Sequence, residues 1–142
     1  MAVLSEEQSM LRDAARAWTQ EKSPVTAFRK LRDSKNELGF DAAVWSEMGQ
    51  MGWAGVIVPE AFGGSEFGYL GLGLVLEETG RTLTASPLLS TALMGASALV
   101  LGGSQAQKQA WLPKLAAGEA IATLAVDEGP HHHPENTALA AT

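Results

Sequence analysis

The sequence predicts an all-α fold, a bundle of about six helices followed by the start of a β-domain. Two capping boxes, Ser5 with Gln8 and Ser104 with Gln107, each precede a run with helical spacing. Apolar residues recur at that spacing through most of the chain. Near its end, residues 120–126 form a short apolar run with turn residues on both sides, which predicts a strand.

The composition indicates a globular protein with one sizeable core. The 142 residues are 46% hydrophobic and 18% charged, which argues against disorder. The formal net charge is −6, and beyond residue 40 three Lys/Arg stand against ten Asp/Glu. No basic face is therefore available for nucleic acid. The absence of cysteine excludes disulfides, thiolate metal sites and a cysteine nucleophile.

Residues 87–103 form a long uncharged run, which makes them the candidate for a membrane span. The run is marginal in length and is interrupted by serine, threonine, glycine and alanine, so a buried core helix is the preferred interpretation. The amino terminus lacks the basic region and apolar stretch of a signal peptide. A cytoplasmic location is expected.

Three helices precede a glycine-rich stretch. The first is predicted over 6–21, behind its capping box. Pro24 suits the first position of a second helix, which is followed by a polar loop at 32–37. Asp41 can cap a third helix. The inner apolar stripe of this third helix is predicted to consist of Ala42, Trp45, Met48 and Met51. The helix is predicted to end at Gly49 or Gly52.

The stretch over residues 52–64 reads Gly-Trp-Ala-Gly-Val-Ile-Val-Pro-Glu-Ala-Phe-Gly-Gly. Residues 56–58 are all β-branched and stop at Pro59, so they predict an extended connector. The aromatic and β-branched side chains require burial, and the glycines permit close backbone approach. The stretch is therefore predicted to be a buried crossover between helix pairs.

The fourth and fifth helices follow this stretch. The fourth is predicted from 66 or 68 to 79, before a stop at Gly80, and Arg81 can pair with one of the two glutamates at 77 and 78. The fifth, over 87–102, is apolar on nearly every face. Such a helix should lie centrally among the others or against a hydrophobic ligand.

The sixth helix starts at Ser104, is kinked or restarted by Pro113 and ends at Gly118. A lone strand after it is not stable, so that strand pairs either outside this chain or with the tail that follows it. We expect residues 1–118 to form a helical domain. Residues 119–142 are expected to form the first strand and loop of an otherwise missing β-domain.

Few motifs carry catalytic chemistry. There is no phosphate loop, no Gly-x-Gly-x-x-Gly after a strand, no metalloprotease helix and no serine nucleophile elbow. Three histidines at 131–133 lie between Pro130 and Pro134 and could contact zinc or nickel. Consecutive residues between prolines cannot all converge on one tetrahedral site. A flexible loop is therefore preferred, and no metal ligand is assigned.

A set of short motifs is specific through its order and spacing. It consists of Gly39-Phe40, Trp45, the stretch 52–64, Glu77-Glu78, Gly80-Arg81, Leu112-Pro113 and Gly118-Glu119. With these motifs the chain, from about residue 4 to 128, resembles the amino-terminal region of acyl-CoA dehydrogenases. The resemblance implies that a β-domain and a carboxyl-terminal four-helix bundle follow the helical domain.

The resemblance also implies an oxidoreductase of fatty acid or lipid metabolism that converts an acyl-CoA to a 2,3-enoyl-CoA, with FAD as hydride acceptor. It implies an electron-transfer flavoprotein or a similar acceptor as partner, and a homo- or hetero-oligomer. The family's catalytic base is a glutamate of the carboxyl-terminal half, which this sequence does not contain, and Glu60, Glu77 and Glu78 do not replace it. The 142-residue chain alone is expected to be inactive.

In this family the strand after Gly-Glu ends at the flavin, and a loop serine contacts the acyl-CoA. By that correspondence Leu124, Val126 and Asp127 would contact the cofactor, and His133 would take the place of the serine. Asp127 replaces a hydroxyl residue, and an ionised carboxylate cannot donate a hydrogen bond to a flavin ring atom. This departure argues against flavin binding at this position.

The same correspondence places four residues of the fifth helix in the wall of the acyl cavity, and small side chains there suit a bulky or long acyl group. These residues are Pro87, Ser90, Thr91 and Met94. The alternative is that they are ordinary core positions, and the sequence leaves both open. Two further functions fit the chain: a non-catalytic subunit of a heteromeric acyl-CoA dehydrogenase, and a helical module that binds hydrophobic ligands.

Overall fold

The computed structural model describes residues 3–130 together with residues 132, 133, 135 and 138. These residues form helices and no strand, which confirms the predicted all-α class. Two 3₁₀ turns, Trp53–Gly55 and Glu60–Phe62, connect the third helix to the fourth, and a π-helix at Leu89–Gly95 leads into the fifth. The α-helices are α1 (Glu6–Lys22), α2 (Val25–Asp33), α3 (Ala42–Gln50), α4 (Gly68–Arg81), α5 (Ala96–Gly102) and α6 (Gln105–Ala116).

The starts of α1, α3 and α6 are capped as predicted. The Ser5 hydroxyl accepts from the Gln8 amide at 3.2 Å, and the Gln8 side chain accepts from the Ser5 amide at 3.0 Å. Ser104 and Gln107 form the same reciprocal pair at α6. The Asp41 carboxylate accepts from two amides in the first turn of α3. These starts are encoded locally, because each cap satisfies N–H groups that have no partner within the helix.

Residues 53–58 of the stretch 52–64 are buried as predicted, whereas residues 52, 60, 61 and 63 are exposed, and the β-branched part is not extended. Residues 53–55 form a 3₁₀ turn, and Val56 continues with helical dihedral angles of −55° and −38°. The apolar side chains of the turn and of the three β-branched residues are all buried. Amides of residues 65–67 donate to carbonyls within 55–58. Because no strand lies beside it among the described residues, the carbonyls of this buried backbone accept hydrogen bonds from residues that follow in the same chain.

The helix α3 packs with its middle on the core and reaches the end of α6. Trp45 and Met48 are buried as predicted, whereas Ala42 and Met51 at the two ends are exposed. The Trp45 indole N–H donates to the Gly118 carbonyl at 2.9 Å. The predicted inner stripe was therefore too long, because only the middle turn of this nine-residue helix faces other elements.

The helices α1 and α4 pack along each other and share a buried carboxylate. The Glu78 side chain is 1% exposed, and two nitrogens of Arg16 donate to its two oxygens at 2.8 and 3.2 Å. Arg81 Nε lies 3.4 Å from the same carboxylate, and a second Arg81 nitrogen pairs with Glu77, as predicted. Hydrogen bonding from Arg16 outweighs burial and holds the pKa of Glu78 below the ordinary glutamate value of 4.5.

The predicted fifth helix is neither α-helical throughout nor fully enclosed. Its first half is the π-helix and its second half is α5. Leu89 and Leu101 are 53% and 79% exposed, and no other segment of the described chain covers these two side chains. The all-apolar pattern predicted a helix packed inside the others or against a hydrophobic ligand. Packing inside the others was wrong for this side, and contact with a ligand stays a prediction. None of the helices among the described residues is long and apolar enough to cross a membrane.

The end of the chain also departs from its sequence pattern. The helix α6 continues through Pro113 to Ala116, and Gly118 adopts a φ of 72° just beyond it. The strand predicted over 120–126 is not formed, since these residues have no partner strand in the part of the chain that the structure describes. A strand without a partner cannot satisfy its backbone groups. The domain division at 118 and 119 stays a prediction.

Gly64 and Gly73 make a matched pair for testing the packing of the buried stretch. A methyl group on Gly64 would collide with the backbone and side chain of Val58, whereas Gly73, on the exposed side of α4, has open space. We expect Gly64→Ala to lower the free energy of unfolding by about 1–3 kcal/mol, and Gly73→Ala to raise it by up to about 1 kcal/mol. Urea denaturation followed by tryptophan fluorescence measures both, and equal effects would contradict this packing.

Glu78 should make stability depend on pH in a defined direction. Because its folded pKa is lowered, its ion pair contributes fully above about pH 4.5 and is lost as the pH falls through the folded value. We expect Glu78→Gln to cost about 1–3 kcal/mol at pH 7 and progressively less at acid pH. The control Glu77→Gln, at a side chain that is 55% exposed, should cost under about 0.5 kcal/mol. A Glu78→Gln deficit that stays constant down to pH 2 in urea denaturation would overturn this account.

Candidate functional site

The residues predicted to line an acyl cavity lie at the π-helix. Pro87 precedes it, and Ser90, Thr91 and Met94 belong to it. Pro87, Ser90 and Met94 are half-buried, whereas Thr91 is fully buried. The Ser90 hydroxyl donates to the Pro87 carbonyl at 3.0 Å. The π-helix therefore has a half-open side, defined by Pro87, Ser90 and Met94, and a closed side that contains Thr91. Helices with π turns are frequent at functional sites.

The closed side of the π-helix holds the segment that follows α6. The Thr91 hydroxyl accepts from the Ala122 amide at 3.2 Å and donates to the Ala122 carbonyl at 3.3 Å. A Cβ built on Gly95 would lie 2.5 Å from the Ala122 Cβ, so a glycine is needed for this approach. The tertiary structure thus joins the helix of the predicted acyl wall to the segment 122–127, which contains the residues predicted to face the flavin.

The residues predicted to contact the cofactor lie at the end of this segment. Leu124 is 43% exposed, Val126 is half-buried and Asp127 is exposed. The peptide groups of residues 123–125 have no hydrogen-bond partner within the described part of the chain. Unpaired peptide groups on an accessible backbone are available to a neighbouring strand or to a ligand.

The loop after this segment contains two acid–histidine contacts. His132 Nδ1 lies 2.9 and 3.1 Å from the two Asp127 oxygens, and His133 Nδ1 lies 3.1 Å from Glu135 Oε1. A backbone hydrogen bond and the contact with His133 hold the pKa of Glu135 below 4.5. No three metal-ligating side chains are grouped among the residues that the structure describes. Two residues of the predicted histidine motif, His131 and Pro134, lie outside the described residues.

Sequence reasoning missed three residues near this site. Gly95 permits the contact with Ala122, and the Tyr69 hydroxyl lies 3.1 Å from the Ser97 hydroxyl, which joins the start of α4 to α5. A glycine within an apolar helical run is the signal that could have found Gly95, since it marks close backbone approach. No local pattern links Tyr69 to Ser97, which lie 28 residues apart.

The three glutamates considered as a replacement base do not have the environment of one. Glu60 is exposed, and Glu77 is exposed and paired with Arg81. Glu78 is buried, but Arg16 lowers its pKa, whereas a base that works near neutral pH needs a raised one. A catalytic base is therefore not supplied by these residues.

Residues 5–119 match the family model described as acyl-CoA dehydrogenase, N-terminal domain. Mitochondrial isovaleryl-CoA dehydrogenase of Pongo abelii is 38% identical over 127 residues, which cover 88% of this chain and 30% of that protein. Acyl-CoA dehydrogenase IpdE2 of Mycolicibacterium smegmatis is 34% identical over 122 residues, which cover 85% and 37%.

Solved structures show the same architecture. The ChsE4-ChsE5 complex from Mycobacterium tuberculosis matches with a TM-score of 0.81 and 28% identity, over 94% of this chain and 36% of that chain. The Tcur3481-Tcur3483 steroid ACAD G363A variant matches with a TM-score of 0.76 and 31% identity, over 87% and 33%. The chain is a helical domain of the dehydrogenase type. It belongs to the acyl-CoA dehydrogenase family, as the motifs predicted, and spans about a third of the length of these relatives.

The residues predicted to face a flavin fit that group in part. The unpaired peptide groups at 123–125 and the exposed Leu124 suit the edge of a planar ring that is partly apolar. The Asp127 carboxylate does not suit it, because an ionised carboxylate only accepts hydrogen bonds and adds negative charge beside a ring that takes up electrons. Its oxygens are also in contact with His132. Leu124 therefore has the exposure that a flavin contact requires and Asp127 lacks the chemistry for one, whereas contact of Val126 with FAD stays a prediction.

Proposed function

We propose that this chain forms the amino-terminal wall of the acyl pocket in a flavoprotein of the acyl-CoA dehydrogenase type. The observation that carries the proposal is the match of residues 5–119 to the family's N-terminal domain. The half-open side of the π-helix supports it, because Pro87, Ser90 and Met94 are accessible there. These three side chains would contact the acyl group, and Thr91 would act from the closed side.

The reaction of the whole protein would be the α,β-dehydrogenation of an acyl-CoA to a 2,3-enoyl-CoA. A base would remove the α-proton, and bound FAD supplies the acceptor for the β-hydride. The base would come from outside these residues, since Glu78 is held ionised by Arg16. Leu124 and Val126 would pack against the cofactor, and His133 would lie near the polar part of the acyl-CoA. An electron-transfer flavoprotein or a similar acceptor would complete turnover.

The acyl group is proposed to be branched or bulky. Ser90 is small, and Met94 is unbranched and adapts its shape to a ligand, so these side chains would accommodate a wide group. The relatives are consistent with such a range, since one is an isovaleryl-CoA dehydrogenase and a similar structure is described as a steroid ACAD.

A second candidate function is that of a non-catalytic subunit in a heteromeric dehydrogenase. The observation that favours it is Asp127, whose carboxylate opposes a flavin at the place where the resemblance implies a hydroxyl. The chain would then contribute its helices and half of a pocket to a neighbouring chain. The similar ChsE4-ChsE5 structure is itself a complex of two named chains.

Expression of the product of the complete reading frame tests the main proposal. We expect a protein with flavin absorbance that reduces a dye in the presence of branched or bulky acyl-CoAs. A colourless protein that becomes active only when it is co-purified with a second dehydrogenase chain would favour the non-catalytic subunit. A colourless, inert protein that binds no such chain would overturn both proposals.

The effect of Asp127 on flavin can be tested separately. We expect Asp127→Thr to tighten FAD binding by at least about tenfold, because it removes a negative charge and restores a hydrogen-bond donor. Asp13→Thr is the matched control, since it makes the same substitution on the exposed surface of α1. Fluorescence titration with FAD measures both variants. Unchanged affinity in Asp127→Thr would show that the carboxylate is not what limits flavin binding.

A further inference from the structure

The contact between Thr91 and Ala122 connects two parts of the chain that lie 31 residues apart. The hydroxyl of Thr91 uses both its acceptor and its donor capacity on one residue, at 3.2 Å to the Ala122 amide and 3.3 Å to its carbonyl. A neighbouring residue in a β-ladder offers the same two groups, one acceptor and one donor. Thr91 therefore takes the place of a strand partner for Ala122.

The neighbouring groups show that this contact anchors the start of the segment. Ahead of it, the amide of Ala120 donates to the Lys114 carbonyl at 3.2 Å. After it, residues 123–125 make no hydrogen bond within the described part of the chain. Gly95 keeps the π-helix close enough for the hydroxyl to reach, because a larger residue would meet the Ala122 Cβ.

We propose that Thr91 is a positioning residue that sets the place of the segment 122–127 on the π-helix. Its side chain is fully buried on the closed side, so it acts through Ala122 and not by touching an acyl group. This assigns Thr91 a role different from that of Ser90 and Met94 on the half-open side. The consequence for cofactor geometry rests on the proposed function, whereas the anchoring itself does not.

Amide hydrogen exchange of Ala122, measured by NMR on the 142-residue chain, tests the anchoring directly. Thr91→Val keeps the shape of the side chain but removes both hydrogen bonds, so we expect the Ala122 amide to exchange at least about tenfold faster. Thr91→Ser retains the hydroxyl and should restore protection to within about threefold. Thr19→Val is the matched control, because Thr19 is equally buried and bonds only within α1.

Several outcomes separate this role from a general loss of structure. An Ala122 amide that is equally protected in Thr91→Val would overturn the proposal, as would faster exchange in Thr19→Val of the same size. Should Thr91→Val fail to fold, Gly95→Ala gives the same test with the hydroxyl intact, because its methyl group displaces Ala122. Faster exchange of the Ala122 amide in Gly95→Ala, with the amides of α1 unchanged, supports the proposal, and unchanged protection of Ala122 in that variant overturns it.

The consequence for the cofactor needs the flavin-containing product of the complete reading frame. There we expect Thr91→Val to shift the flavin absorption band and Thr91→Ser to restore it, with Thr19→Val unchanged. If Ala122 is released in Thr91→Val but the flavin spectrum is unaltered, the anchoring stands and its link to the cofactor fails. If the unaltered protein binds no flavin, the proposed function fails while the exchange result remains valid.

Discussion

The arrangement of the helices depends on the burial of one short turn, residues 53–58. Its Trp53 ring meets the ring of Trp18 on α1 edge-on at 5.1 Å. On the other side, a Cβ on Gly55 would come within 2.9 Å of the Ala116 side chain on α6. Because packed interiors leave no spare volume, a turn with these contacts fixes the distance between the first and last helices. The other helices pack at positions that are compatible with this distance between the first and last helices.

The polar groups of the core are hydrogen-bonded or ion-paired, whereas the surface formed by the π-helix and α5 is open. Within the core, Glu78 is held by two arginines, and the Trp18 indole N–H donates to Glu47 at 3.0 Å. No buried side-chain nitrogen or oxygen among the described residues lacks a partner. The π-helix and α5 expose leucine side chains, and the peptide groups at 123–125 have no hydrogen-bond partner among the described residues. Apolar surface and free backbone together are typical of a surface that meets further protein or a ligand.

This difference between a paired core and an open surface supports the proposed function. In the proposal the chain would supply shape on the half-open side of the π-helix, through Pro87, Ser90 and Met94. The glutamates Glu60, Glu77 and Glu78 would offer no base. The dehydrogenase proposal and the non-catalytic proposal share that wall and differ at Asp127, where the charge opposes a flavin. Family membership rests on the match over residues 5–119, and the base of the proposed reaction would come from outside these residues.

The sequence by itself determined the all-α class, the family, the capped helix starts and the burial of residues 53–58. Local sequence patterns, such as the Ser5 capping box, or the order of the motifs along the chain encode these features. Tertiary structure decided what depends on a partner distant in sequence. The β-branched run follows a 3₁₀ turn and is not extended, and the predicted strand did not form, because neither has a strand to pair with among the described residues. Only the folded chain brought Thr91 to Ala122, since a hydroxyl in a helix carries no local sign of which backbone it will meet.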